Sequence, residues 1–209
     1  VAVAAAHART RGADRVAVVD FDVHHGNGTQ EMFYADPAVL YVSIHQFPFY
    51  PGTGSVGETG VLEGTGRTVN VPLSAGAGDA VYLAAFQRIV APVIASFDPD
   101  LLLISAGFDA HELDPLGSMR VTEAGFAGMA VELAGALPRG SDGRIGVILE
   151  GGYDLDGLAG SLRATLEALD SGAYAPGDSR QTPDRAISPT HEAELGRALA
   201  TARENNRFG

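Results

Sequence analysis

The sequence predicts an α/β domain: a mainly parallel central sheet with helices on both faces. Three observations point that way. Short apolar runs at residues 15–19, 39–45, 67–73, 101–105 and 145–149 alternate with longer stretches of helical periodicity. Most of these runs, such as VAVV and LLLIS, are apolar on both faces, the pattern of strands covered on both sides. Polar groups stand just past the runs, as Asp20/Asp22/His24, Ser43/His45, Asp109 and Gly151-Gly152-Tyr153. Ligands of open parallel sheets bind beyond the carboxyl ends of the strands, so these clusters predict a site on one edge.

Taken in order, residues 1–11 are alanine-rich helix formers and Gly12 supplies a stop. The first strand, RVAVV, leads into DFDVHHGNG. Residues 29–34 predict a short helix ended by Asp36-Pro37, and residues 39–45 a second strand. Residues 46–66, with Pro48, Pro51 and repeated glycines, form a connection too long to be idle in a compact domain. RTVNVPL is a third strand. Gly78-Asp79 then caps a long amphipathic helix running to Phe97, in which Pro92 predicts a kink. LLLIS is the fourth strand, residues 122–137 the next helix, and residues 145–149 the fifth strand. Leu155, Leu158, Leu162, Leu166 and Leu169 supply the core stripe of a closing helix. The deacetylase-type unit described below covers 1–170; residues 171–209 read as a linker and a peripheral polar helix.

The chain of 209 residues has 45% hydrophobic content, enough for one substantial core. Its net charge of -12 argues against a surface that tracks nucleic-acid phosphates. With no cysteine, a transition metal would have to use His, Asp or Glu. No uninterrupted apolar run approaches the ~18 residues that span a bilayer and no leader opens the chain, so the expectation is a cytoplasmic, bacterial-type protein.

Side chains alternate faces along an extended chain, so Asp20, Asp22 and His24 project to one side. The bland alternative is an acidic surface loop, but burying such groups without a partner costs several kcal/mol. Asp22, His24 and Asp109 together offer a metal three ligands and leave one position open, the layout of a catalytic site. Zinc so held lowers the pKa of water toward ~7 and polarises a carbonyl, chemistry suited to amide hydrolysis. Tyr153, on a Gly-Gly turn, is the candidate donor to the oxyanion; its alternative is packing over the turn.

DFDVHHGNGT, YVSIHQFPFYPGTG, NVPL, SAGFDAHELDPLG and LEGGYDL, in that order and spacing, resemble the zinc-dependent histone deacetylase family in its wide sense, including acetylpolyamine amidohydrolases and acetoin-utilisation proteins. The resemblance runs from Val1 to about Leu169. It implies an arginase/deacetylase-like fold, zinc on Asp22, His24 and Asp109, and Tyr153 as the transition-state donor. It also implies potassium beside the zinc, on Asp20, Asp22, Ser43 and the backbone carbonyls of His24 and Ile44, and a weaker second potassium site in the 33–39 loop. The implied substrate is an acetylated lysine or polyamine. Tyr50 and Gly151 are the expected substrate contacts, with Phe47 and Phe49 beside them in the channel wall.

One departure matters. The family pattern has an upstream pair of adjacent histidines, one a general base, each oriented by an acid or amide; Asp20 and Asn27 resemble the orienters. No such pair precedes the motif here. The expectation is a longer reading frame, Val1 standing where Met would, and otherwise a catalytically weak zinc-containing acyl-lysine binding domain. A binuclear manganese ureohydrolase is disfavoured, because Asp109-Ala110-His111 offers no adjacent second acid. His25 and His45 read as structural, His111 as a rim or loop residue, and His7 and His191 as helix-surface residues.

Overall fold

β1 (Val16–Asp20) is buried throughout. It lies at the centre of a five-stranded sheet with β2 (Val39–Gln46), β3 (Thr68–Leu73), β4 (Leu101–Ala106) and β5 (Ile145–Leu149), in the order β3-β2-β1-β4-β5. Every neighbouring pair is parallel, with Asp20 in register with Ser43 on one side and Ser105 on the other. These relations come from a computed structural model that describes residues 1–137, 144–172 and 186–206.

The two faces of β1 belong to different clusters. Val16 and Val18 pack with Tyr41, Leu103 and Ala5, the last on α1 (Ala2–Thr10); Phe33 of α2 (Asn27–Phe33) joins them. Ala17 and Val19 belong to the larger core, and so do Phe21 and Val23, so the alternation outlasts the strand, which ends at Asp20. On that side lie α3 (Asp79–Ala85), α4 (Ala91–Phe97), α5 (Glu123–Ala136) and α6 (Leu155–Ser171). α2 begins at Asn27, two residues before the expected start.

The helix from Asp79 to Phe97 is interrupted by a π-turn at Phe86–Val90, which ends two residues before Pro92. Proline has no N–H for the carbonyl of residue 88, and the widened turn accommodates that loss. Asp79 does not cap this helix with its side chain; it accepts hydrogen bonds from the Thr122 amide (2.8 Å) and hydroxyl (2.7 Å) and so fixes the start of α5. With 19 residues and a mean hydropathy of 1.6, this helix has the length and composition of a membrane span. Its Tyr82, Phe86, Ile89 and Ile94 lie inside the core instead.

Two expectations about the later helices are corrected. Leu155 and Leu166 are exposed, and α6 buries Gly157, Ser161, Thr165 and Ala168 with Leu158, Leu162 and Leu169 partly buried beside them. The small residues allow close approach to Ala127 and Ala130 of α5, which a leucine stripe would prevent. α7 (Pro189–Asn206) is polar by composition but places Leu195, Ala198 and Ala202 in the main core. His191 is therefore buried, between Ser188 and the Ser74 carbonyl (3.2 Å), and not on the helix surface. The linker expected at 171–190 falls largely on residues 173–185, outside the described residues.

Candidate metal centre

Asp20 ends β1 and sits almost fully buried. Its carboxylate accepts from the Tyr41 hydroxyl (3.0 Å) and the Asp22 amide (3.2 Å). Burial, then the Asp22 charge, pushes its pKa well above the ordinary carboxylate range. Two residues on, Asp22 accepts from the His24 amide (2.8 Å) through one oxygen and from the Gly151 amide (3.2 Å) through the other. Asp109, three residues past β4, is fully buried and accepts from the Val23 amide at 2.8 Å. Its second oxygen lies 3.0 Å from His24 Nδ1, which is also 3.1 Å from Asp22.

One nitrogen and two carboxylate oxygens, from the ends of two adjacent strands, thus lie within 4.8 Å of one another. Burial first, and the Asp22 carboxylate next, push Asp109 up to about 7. Two carboxylates in one buried site repel unless a proton or a cation is shared between them. The space for a cation exists because two neighbours lack side chains. A Cβ at Gly151 would stand 2.5 Å from an Asp109 oxygen and 2.6 Å from an Asp22 oxygen, and one at Gly107 would stand 2.1 Å from Asp22. Imidazole and carboxylate donors in a cradle emptied by glycine fit zinc.

Tyr153 follows β5 on the Gly151-Gly152 turn, with 57% of its surface exposed. Gly152 has φ +131°, a conformation that L side chains rarely adopt. Desolvation, then the Asp109 and Asp22 charges, raise the phenol pKa above its ordinary value. Phe49 stacks on His24 at 5.3 Å between ring centroids, and Tyr50, largely exposed, meets it edge-on at 6.3 Å. Asn27 is exposed in the first turn of α2, with no side-chain hydrogen bond among the described residues.

The other buried histidines are held by hydrogen bonds or packing. His45 Nε2 faces the Gly54 carbonyl (2.9 Å), so it donates there, and Nδ1 accepts from the Ser43 hydroxyl (2.9 Å). Burial depresses its pKa to about 3. His25 bridges Thr53 (2.8 Å) and Gln30 (3.0 Å), and burial lowers its pKa too. Gln30 continues to Glu58, which also accepts from the Gly54 and Ser55 amides and so closes the 46–66 connection onto α2. His111 is neither at the rim nor in a surface loop: it is buried, stacked near Phe126 and 3.6 Å from Glu123.

Residues 1–169 match the histone deacetylase domain family. The chain belongs to that family. It is 43% identical over 170 residues to histone deacetylase 14, chloroplastic, of Arabidopsis thaliana, covering 81% of this chain and 40% of the relative. It is 45% identical over 147 residues to a probable deacetylase of Archaeoglobus fulgidus, covering 70% and 41%. Among solved structures, the HDA15 HD domain superposes with a TM-score of 0.86 at 41% identity, covering 99% of this chain and 55% of that one. The histone deacetylase Clr3 superposes with a TM-score of 0.83 at 42% identity, covering 94% and 32%. The chain thus spans about two fifths of the length of these two relatives, and its sheet is arginase/deacetylase-like, as these structural likenesses show.

Three features of the site have no counterpart in the sequence reading: the steric requirement at Gly107, the stacking of Phe49 on His24, and the hydrogen bond from the Tyr153 amide to Asp114 (2.7 Å). Of these, only Asp114 had a signal, the turn-forming Asp-Pro-Leu-Gly sequence at 114–117.

Proposed function

We propose that this chain carries the metal-binding and oxyanion-stabilising half of a zinc-dependent deacetylase acting on the N-acetyl amide of an acetylated lysine or polyamine. The supporting observation is the convergence of Asp22, His24 and Asp109 on one point, with Asp109 fully buried beside a second carboxylate. Zinc bound there would polarise the amide carbonyl and activate water for attack. A tyrosine phenol, with an ordinary pKa of about 10, keeps its proton at neutral pH, and Tyr153 donates it as a hydrogen bond where charge gathers on the amide oxygen. Phe49 and Tyr50 wall the approach with apolar surface for a lysine or polyamine stem, and Gly151 leaves room for the reacting group. Potassium belongs to the same proposal. Asp20 and Ser43 stand in register, and Ser43, whose proton goes to His45, presents only lone pairs to a cation.

A second reading has its own support. Both ring nitrogens of His25 and of His45 are engaged, so neither is free to serve as general base. A chain that relies on these histidines would bind zinc and an acyl-lysine with little turnover, general-base help being worth 10²- to 10⁴-fold. Elemental analysis of the purified chain beside Asp109→Asn, with an acetate-release assay on acetyl-lysine peptide and acetylpolyamine, tests both. One zinc per parent chain, far less in the variant, and acetate release support the deacetylase. Zinc and peptide binding without release support the binding domain. No zinc in either protein refutes both.

A further inference from the structure

We propose that Asp114 is a positioning residue for Tyr153, fixing the direction of the phenol by holding the backbone from which it projects. This rests on the deacetylase reading given above for Tyr153. Asp114 is 7% exposed and works through both carboxylate oxygens. One accepts from the Leu116 amide (2.9 Å) and the Gly117 amide (3.4 Å), closing the turn that follows the metal-ligand strand. The other accepts from the Tyr153 amide at 2.7 Å, across 39 residues of sequence.

The opposite end of the Tyr153 turn is tied to the metal centre. The Gly151 amide donates to Asp22 (3.2 Å), and the Gly151 carbonyl accepts from the Phe108 amide (2.9 Å). Between the two anchored residues stands Gly152, whose backbone conformation few other residues share. The Tyr153 side chain is 57% exposed, so packing does little to orient it. The bond to Asp114 takes over that task. Asp114 is in turn coupled to the metal ligands, because its turn packs Gly117 against the Asp109 carbonyl, where a Cβ would stand only 2.3 Å away. One buried carboxylate therefore sets the phenol relative to the reacting centre.

The test is Asp114→Asn, with Asp114→Ala and Tyr153→Phe beside it. Two amides face one oxygen of Asp114 and a single amide faces the other, so asparagine keeps its carbonyl on the 114–117 turn and turns its NH₂ against the Tyr153 N–H. The loop stays closed and only the anchor is lost. In this chain, Asp114→Asn should keep the parent's zinc content, while the Tyr153 amide proton shifts upfield and exchanges at least tenfold faster with deuterium. Its kcat on acetyl-lysine peptide should fall about 10- to 100-fold with KM nearly unchanged, the cost of a misdirected group. Adding it to Tyr153→Phe should cost no more. An unchanged Tyr153 amide, or parent kcat in Asp114→Asn when Tyr153→Phe is impaired, overturns the positioning role alone. Parent turnover in Tyr153→Phe, or none in the parent, overturns the deacetylase reading of Tyr153 and this proposal with it. Loss of zinc and folding in Asp114→Asn and Asp114→Ala alike makes Asp114 a structural residue and also overturns it.

Discussion

Gly107→Ala should damage the metal centre from a residue that is not itself a ligand. The new Cβ would stand 2.1 Å from one Asp22 oxygen and 2.5 Å from its carboxyl carbon. Reaching ordinary contact at 3.4 Å requires a movement of about 1.3 Å, the difference between the two oxygen distances. Asp22 cannot yield by rotating freely, because the His24 amide holds one oxygen and the Gly151 amide the other. Zinc sites tolerate ligand displacements of only about 0.2 Å. A shift several times larger should lower zinc affinity by 10- to 100-fold or more, about 1.4–2.7 kcal/mol. Overpacking should also cost the apo fold about 1–3 kcal/mol. Competition against a chromophoric chelator measures the first, and denaturant unfolding with excess chelator the second. Zinc affinity within threefold of the parent, in a protein of parent stability, would refute the steric account of this site.

Three further outcomes are expected. Zinc affinity should fall roughly tenfold per pH unit below about 7, as protons compete for Asp109, and calorimetry in buffers of different ionisation enthalpy should detect about one proton released per zinc bound near pH 6; binding independent of pH between 5 and 8 would exclude that competition. His45 stays neutral in the fold down to about pH 3, whereas the unfolded chain takes up a proton near 6.5, so this residue's contribution to stability is full above 6.5 and drains away as pH falls toward 3. The loss is on the order of 5 kcal/mol, and His45→Gln should flatten the corresponding slope of Tm against pH; an equal slope in the variant would assign it elsewhere. Tyr153→Phe should retain zinc and lower kcat about 10²- to 10³-fold, measured on acetyl-lysine peptide; a drop confined to KM would make Tyr153 a substrate contact only.

The strands were legible because each is a short apolar run, and the site's main parts because they stand just past those runs. Val16 to Val19 marked a buried strand, and the acid after LLLIS marked Asp109. Side-chain choice within helices was less legible. Leucines at three- and four-residue spacing along α6 suggested the buried stripe, yet Leu155 and Leu166 face solvent because α5 presents alanines and takes small residues against them. His191 and His111 were misplaced for a similar reason: their burial depends on Ser74 and Phe126, residues 117 positions before the first and 15 after the second, which no local pattern predicts. The steric demand at Gly107 was hidden because a glycine's necessity lies in what it faces, here an Asp22 oxygen 85 residues earlier in the chain.

The central position of β1 has a consequence for how the protein is made. Asp22 and His24, just past its end, leave the ribosome before their third partner, Asp109, which lies 85 residues beyond His24, just past a strand that pairs directly with β1. At about 5–20 residues per second, the acidic end of β1 waits roughly 4–17 s for β4 to be synthesised. An ion that arrives in that interval finds two ligands of three. Under the proposed metal site, durable capture of an ion would have to follow the docking of β4, and its uptake would date the moment at which the two halves of the sheet join.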